Sequence, residues 1–209
     1  MAIINLKEKT IQVKIIYYGP GRSGKTTNLE YIHNCLKKIL NKDVSKLISI
    51  DTKGDRTLFF DFFPVNLGKI AGFDLKLQLY TTPGQVKYDI TRKLVLKGVD
   101  GIVFVADSLV SRQEANMESF ENLIQNLNYN KVAIDSVKVI FQWNKRDIDK
   151  NMIPLTDIED MEALLNSELK TKSFPSSAVT GMNVLKTVNF IAKETVKTVI
   201  DDMVSNEQK

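Results

Sequence analysis

The sequence has few residues that bind metals or form disulfides. Cys35 is the only cysteine and His33 the only histidine among 209 residues. A single cysteine cannot form an internal disulfide, which fits a reducing compartment, so we expect a cytoplasmic protein. The two side chains are two positions apart in a predicted helix and do not share a face, so they predict no metal site.

Long apolar segments and clusters of like charge are also missing. No apolar run approaches the ~20 residues that a membrane-spanning helix needs. We find no signal peptide, myristoylation site or prenylatable cysteine, so we expect membrane association only through partners or a weak surface patch. The net charge is +4 with both signs spread along the chain, which does not favour nucleic acid as a partner.

The chain is large enough to bury a full core without disulfides or a structural metal. It contains no internal repeat, low-complexity segment or linker rich in proline and serine. We therefore expect one domain over residues 1–209, with a core at about 10–200.

The segment Gly19-Pro20-Gly21-Arg22-Ser23-Gly24-Lys25-Thr26 matches the phosphate-binding pattern G-x-x-x-x-G-K-[ST]. A strand pattern precedes it and apolar residues at helical spacing follow it, so the free N–H groups of a helix would face the phosphates. Lys25 can reach the β- and γ-phosphates, and the Thr26 hydroxyl can bind Mg²⁺. We expect further nucleotide contacts from Gly19, Gly21, Arg22, Ser23, Gly24 and Thr27.

Strand and helix patterns alternate along the rest of the chain. Residues 58–63 and 73–80, separated by a turn at 66–69, predict an antiparallel hairpin at a sheet edge, and residues 41–56 predict a loop. Residues 101–106 form a continuous apolar run, which is typical of a central parallel strand. The alternation predicts an α/β sandwich with a mostly parallel sheet.

The segment Asn144-Lys145-Arg146-Asp147 selects the base, because it follows a predicted strand that ends at Trp143. The Asp147 carboxylate can accept two hydrogen bonds from guanine, whereas adenine offers neither donor. The Lys145 stem can lie against the base. Ser177 and Ala178 follow the last strand, where a backbone N–H can meet the guanine oxygen. A P-loop ATPase or kinase is the alternative.

A third segment, Thr81-Thr82-Pro83-Gly84-Gln85, follows the second strand of the hairpin. Gly84 can present its N–H to the γ-phosphate, and Gln85 can orient an attacking water. The alternative is an ordinary polar turn, since Pro-Gly is common in turns.

Together these segments resemble the Ras-like small GTPase superfamily over roughly residues 10–200, and more closely the bacterial MglA family of gliding and cell polarity. Besides the phosphate loop, the resemblance lies in Arg56-Thr57-Leu58-Phe59-Phe60-Asp61-Phe62, Tyr80-Thr81-Thr82-Pro83-Gly84-Gln85-Val86, Arg92-Lys93-Leu94-Val95-Leu96-Lys97-Gly98-Val99-Asp100-Gly101, Val105-Ala106-Asp107-Ser108 and Asn144-Lys145-Arg146-Asp147.

The resemblance implies a three-layer P-loop fold with a six-stranded, mostly parallel sheet and one antiparallel edge strand. It implies a GTP/GDP switch with Mg²⁺, in which Thr57 is the switch-I threonine and a metal ligand. Arg56 would be a catalytic arginine supplied in cis, acting with Gln85 and Lys25.

The resemblance also implies partners. Hydrolysis would be slow until a Roadblock-fold activating protein of the MglB kind binds, effectors would recognise the GTP form, and partners would recruit the protein to the cell poles. A scaffold that holds GTP without hydrolysing it is the alternative. Most small GTPases have Asp where this chain has Thr81, and many have Lys where it has Val179, which implies weaker retention of Mg²⁺ or nucleotide.

Overall fold

The computed structural model describes residues 3–5, 7–40, 48–50, 60–70, 72–84 and 88–207. The strands are β1 (Ile3–Asn5), β2 (Thr10–Tyr18), β3 (Ile48–Ile50), β4 (Phe60–Ile70), β5 (Phe73–Thr81), β6 (Gly101–Asp107), β7 (Lys138–Asn144) and β8 (Ser173–Pro175). The α-helices are α1 (Lys25–Leu40), α2 (Asp89–Leu96), α3 (Gln113–Tyr129), α4 (Ile158–Leu165) and α5 (Val184–Glu207).

All of these strands belong to one sheet, in the order β3-β4-β5-β2-β6-β7-β8, with β1 beside β2. Four neighbouring pairs are parallel, namely β5 with β2, β2 with β6, β6 with β7 and β7 with β8. The pairs β1 with β2, β3 with β4 and β4 with β5 are antiparallel. Every residue of β6 is buried, as its continuous apolar sequence predicts for a strand covered on both faces. Because β2, β5, β6, β7 and β8 run parallel, their carboxyl ends meet at one edge of the sheet.

The helices cover the two faces of this sheet. Buried residues of α1 and α5, such as Leu29 and Ile191, pack with one face of β2 and β5. Buried residues of α2, α3 and α4, such as Leu96, Leu123 and Met161, pack with the other face. The predicted three-layer α/β fold is thus confirmed. Among the described residues, no helix is both long and apolar enough to cross a lipid bilayer.

The strand count and the hairpin turn differ from the prediction. Among the described residues the sheet has eight strands rather than six, because β1 adds to β2 and β3 lies within the segment predicted as a loop. The predicted turn at 66–69 was wrong, since β4 continues to Ile70.

The hairpin turn lies instead between Ile70 and Phe73. At the predicted position, between Asn66 and Lys69, the register shifts by one residue, and Gly68 has a left-handed φ of 87°. The Asn-Leu-Gly-Lys sequence therefore forms a bulge within the strand, which needs the same glycine conformation as a turn.

Candidate nucleotide-binding site

The phosphate loop joins the end of β2 to the start of α1, in the predicted place. Gly19 and Gly24 have φ values of 143° and 100°, which L side chains rarely adopt. A Cβ at Gly19 would overlap the carbonyl of Val105, and one at Gly24 would overlap the side-chain amide of Asn144. The two outer glycines of the motif are therefore required by backbone shape and by close neighbours.

Lys25 lies with its ammonium group against this loop. The residue is 6% exposed, and its Nζ donates to the carbonyl oxygens of Gly19 at 2.8 Å and Pro20 at 2.6 Å. Thr26, the next residue of α1, is exposed, and Thr27 is partly buried. A cation and the first N–H groups of a helix thus meet at one end of the loop, an arrangement that suits phosphate oxygens.

Asn144 connects the phosphate loop to the segment after β8. Its Nδ2 donates to the carbonyl of Ser23 at 2.6 Å, and its Oδ1 accepts from the N–H of Ala178 at 2.8 Å. The residue is 2% exposed. In addition, the Arg146 N–H donates to the carbonyl of Ser176 at 2.9 Å. Asn144 therefore acts as a bridge between loops, whereas the sequence predicted it only as part of a base-binding motif.

The other predicted base-binding residues surround this bridge. Asp147 is exposed, Ser177 is fully buried, and Val179 is 76% exposed. An exposed carboxylate at this edge can meet the donors of a guanine base that approaches from solvent. The structure thus brings the phosphate loop, residues 144–147 and residues 176–179 to one edge of the sheet.

Two residues of the site were missed by the sequence reasoning. The carboxylate of Asp107, at the end of β6, is fully buried, and the Nζ of Lys145 lies 2.6 Å from its Oδ2. Arg112 donates through Nη2 to the carbonyl of Gly21 at 2.9 Å. An acidic residue ending a central parallel strand was a usable signal for Asp107, because such ends face the ligand. The residues that flank Arg112 along the chain gave no indication that it contacts the phosphate loop.

The segment after β5 contacts the phosphate loop directly. A Cβ at Gly84 would overlap the backbone of Pro20 and Gly21, so only glycine permits this approach. Thr81 is 3% exposed at the end of β5, and the Thr82 N–H donates to the carbonyl of Tyr17 at 3.1 Å. Gly84 thus lies directly against the phosphate loop. Gln85, Arg56 and Thr57 lie outside the described residues, so their roles stay predictions.

Helix α2, which follows this segment, is anchored to α3 through Asp89. Asn122 and Asn126 each donate to its Oδ1 at 3.1 Å, and the Nζ of Lys93 lies 2.7 Å from its Oδ2. Partial burial acts to raise the pKa of Asp89, but hydrogen bonds from Lys93, Asn122, Asn126 and Arg92 outweigh it and hold that pKa below its ordinary value.

The site fits a magnesium ion that binds together with a nucleotide. Within the described part of the chain, no group of three or more His, Cys, Asp or Glu residues could hold a metal ion. Mg²⁺ often takes only one or two protein ligands, with phosphate oxygens and water completing its shell. The exposed Thr26, directly after Lys25, carries a hydroxyl of the kind that could serve as one such ligand.

A glycine-rich phosphate loop between a parallel strand and a helix, in a three-layer α/β fold, defines a P-loop nucleotide-binding protein. A family model described as the Ras family matches residues 14–197. The chain belongs to this family and is a GTP-binding, GTP-hydrolysing protein.

Individual relatives agree with this assignment. The chain is 48% identical to the mutual gliding-motility protein MglA of Myxococcus xanthus, over 92% of this chain and 95% of that protein. It is 26% identical to the Ras-related protein rab-39 of Caenorhabditis elegans, over 91% of this chain and 76% of that protein. It is 29% identical to the Ras-related protein RABE1e of Arabidopsis thaliana, over 63% of this chain and 57% of that protein.

Proposed function

We propose that this chain is a GTP/GDP switch, formed by a single domain, that controls gliding motility or cell polarity through partners that recognise its GTP form. The observation that carries the proposal is the 48% identity to a gliding-motility protein over 92% of the chain. The chain would act in the cytoplasm, and partners would recruit it to the cell poles.

Each element of the site has a role in this proposal. Lys25 and the loop residues Gly19, Gly21, Arg22, Ser23, Gly24 and Thr27 hold the phosphates. Thr26 and Thr57 hold Mg²⁺, which neutralises developing charge on the phosphates. Asp147 accepts hydrogen bonds from guanine, with Asn144, Lys145, Ser177, Ala178 and Val179 around the base. The buried bridge from Asn144 to Ser23 and Ala178 supports this arrangement.

Hydrolysis in this proposal depends on residues near the γ-phosphate. Gly84 donates its N–H to that group, Gln85 orients the attacking water, and Arg56 stabilises the charge that builds up on the γ-phosphoryl oxygens. A well-placed guanidinium is worth about 10³–10⁵ in rate. A Roadblock-fold partner would hold Arg56 and Gln85 in place and would supply no arginine of its own.

The base assignment is tested by titrating the protein with GTP and ATP, and by repeating the titration with XTP for Asp147→Asn. Xanthine carries a carbonyl where guanine carries its amine, so the amide of the variant should reverse the preference. We expect wild-type protein to prefer GTP, and Asp147→Asn to prefer XTP. Preference of the wild type for ATP would favour an ATPase or kinase, and a variant that still prefers GTP would refute the role of Asp147.

The switch is tested by single-turnover phosphate release, alone and with the cognate Roadblock-fold protein. We expect slow release alone, acceleration by the partner, and loss of that acceleration in Arg56→Ala. Full acceleration of Arg56→Ala, together with an essential arginine on the partner, would place the catalytic arginine in trans. No hydrolysis under any condition would favour the scaffold. Proteins captured only by GTP-loaded chain would be the candidate effectors.

A further inference from the structure

One buried carboxylate lies between the two loops of the candidate site. Asp107 is 0% exposed, and its Oδ2 lies 2.6 Å from the Nζ of Lys145 and 3.7 Å from the Nε of Arg112. Its Oδ1 accepts from the N–H of Leu109 at 3.2 Å. A buried carboxylate is tolerated when it is paired in this way, and it then limits the freedom of its partners.

Arg112 extends this network to the phosphate loop. Its Nε faces Asp107, while its Nη2 donates to the carbonyl of Gly21 at 2.9 Å. The described residues contain no cis peptide bond. In a planar trans peptide the C=O and the following N–H point in opposite directions. A hydrogen bond that fixes the Gly21 carbonyl toward Arg112 therefore also fixes the Arg22 N–H to point away from Arg112.

The backbone at this point needs such support. Arg22 has a φ of 65°, which is an unfavourable conformation for a residue with a Cβ. The residue is exposed, so packing of its own side chain does not hold it there. A strained backbone conformation persists only when the surrounding structure determines it. The guanidinium of Arg112 is one such determinant.

We propose that Arg112 is a positioning residue that orients the Gly21–Arg22 peptide toward the phosphates, and that Asp107 links it to Lys145. The buried carboxylate of Asp107 would then fix the position of the phosphate loop relative to the base-binding loop. This inference rests on the proposed nucleotide site. It predicts that loss of either link speeds nucleotide release.

The first experiment measures release of a fluorescent GDP from full-length protein in the presence of Mg²⁺. We expect Arg112→Gln to release GDP about tenfold faster, because one backbone donor to a charged phosphate is no longer oriented. Arg112→Lys should fall between the two, since a single ammonium cannot reach both Gly21 and Asp107 as the guanidinium fork does. Release from Arg112→Gln within twofold of wild type would overturn the proposal.

A matched control removes a cation from an exposed ion pair near the same edge. Lys150 Nζ lies 3.0 Å from Asp157, and both side chains are more than half exposed. Lys150→Ala should release GDP at the wild-type rate. Equal acceleration by Lys150→Ala and Arg112→Gln would show a general effect of positive charge and would also overturn the proposal.

Two further measurements separate positioning from structural support. Thermal unfolding of the nucleotide-free protein should change little in Arg112→Gln, because the side chain is 35% exposed. A large drop in stability that parallels the faster release would refute the positioning role. If Asp107 acts through Arg112, the double variant Arg112→Gln/Asp107→Asn should release GDP faster than wild type by a factor smaller than the product of the two single-variant factors. A factor equal to that product would refute the link between the two residues.

Failure of this inference is distinguishable from failure of the proposed function. If wild-type protein binds no GDP, and Lys25→Ala changes nothing, the proposed nucleotide site is wrong and the role of Arg112 falls with it. If wild-type protein binds GDP and Lys25→Ala abolishes binding, while Arg112→Gln behaves as wild type, only the present inference is wrong.

Discussion

Replacing Asn144 by alanine should destabilise the protein even without nucleotide. The change removes the bonds to the Ser23 carbonyl and the Ala178 N–H, at 2.6 and 2.8 Å. Ser23 is 0% and Ala178 3% exposed, so both backbone groups lose their partner in a buried place. Each unsatisfied group costs ~1–2 kcal/mol, which predicts a loss of about 2–4 kcal/mol in the free energy of unfolding.

Urea unfolding of the nucleotide-free protein measures this loss, because bound nucleotide would add stability by mass action. With a slope of about 2–3 kcal/mol per M urea for a chain of this size, the midpoint should fall by roughly 1–2 M. Asn151 offers a matched control, since it is exposed and its side-chain amide bonds Asp149 on the surface. Asn151→Ala should shift the free energy of unfolding by less than about 0.5 kcal/mol.

A second variant distinguishes the two bonds made by Asn144. Asn144→Asp keeps an acceptor for the Ala178 N–H but places an oxygen against the carbonyl oxygen of Ser23. It should therefore remain less stable than wild type at neutral pH, despite its equal volume. If Asn144→Ala and Asn151→Ala unfold at the same urea concentration, the bridge contributes nothing to stability and the reasoning is refuted.

Three other perturbations have defined outcomes. Because the pKa of Asp89 is held below its ordinary value, its stabilising effect is fully present above about pH 4 and decreases as the pH falls further. Asp89→Asn should therefore destabilise the protein more at pH 7 than at pH 2 in urea unfolding, and an equal effect at both would contradict this. Gly181 has a φ of 84°, and a Cβ there would overlap the ring of Tyr31. Gly181→Ala should therefore lower thermal stability more than Gly98→Ala, where φ is 71° but no atom lies within 4 Å of the added Cβ. Equal losses in the two variants would show that the overlap with Tyr31 contributes nothing beyond backbone strain. Chelation of Mg²⁺ should speed GDP release, and Thr81→Asp should slow it by restoring a negative charge near the metal; a release rate that neither treatment changes would argue against Mg²⁺ at this site.

The parts of the site that could be predicted from sequence are those whose chemistry is local. A loop that wraps an anion needs glycine where φ is positive, so Gly19 and Gly24 are visible in the sequence itself. A buried strand needs a continuous apolar run, which identified β6. Lys25 and Asn144 could be placed as well, because Lys25 follows the phosphate loop at the start of α1 and Asn144 is the last residue of β7.

The parts that could not be predicted depend on partners distant in the chain. Asn66 to Lys69 has the composition of a turn, yet the register of β4 against β5 places a bulge there. β1 and β3 are three residues each, too short for a periodic pattern, and they are defined by pairing with β2 and β4. Arg112 reaches Gly21 across 91 positions of sequence.

The order of the strands explains why separate motifs form one site. β6 lies between β2 and β7, and its register pairs Asp107 with Asn144 at the carboxyl ends of the two strands. The phosphate loop begins at the neighbouring end of β2. Asn144 donates a hydrogen bond to this loop directly, whereas Asp107 is connected to it through Arg112. The side chains that connect these loops would therefore also hold in place the backbone groups that bind a nucleotide. Variants of Asn144 and Asp107 should consequently change nucleotide release and stability in different proportions, because only Asn144 makes both of its bonds to buried backbone groups.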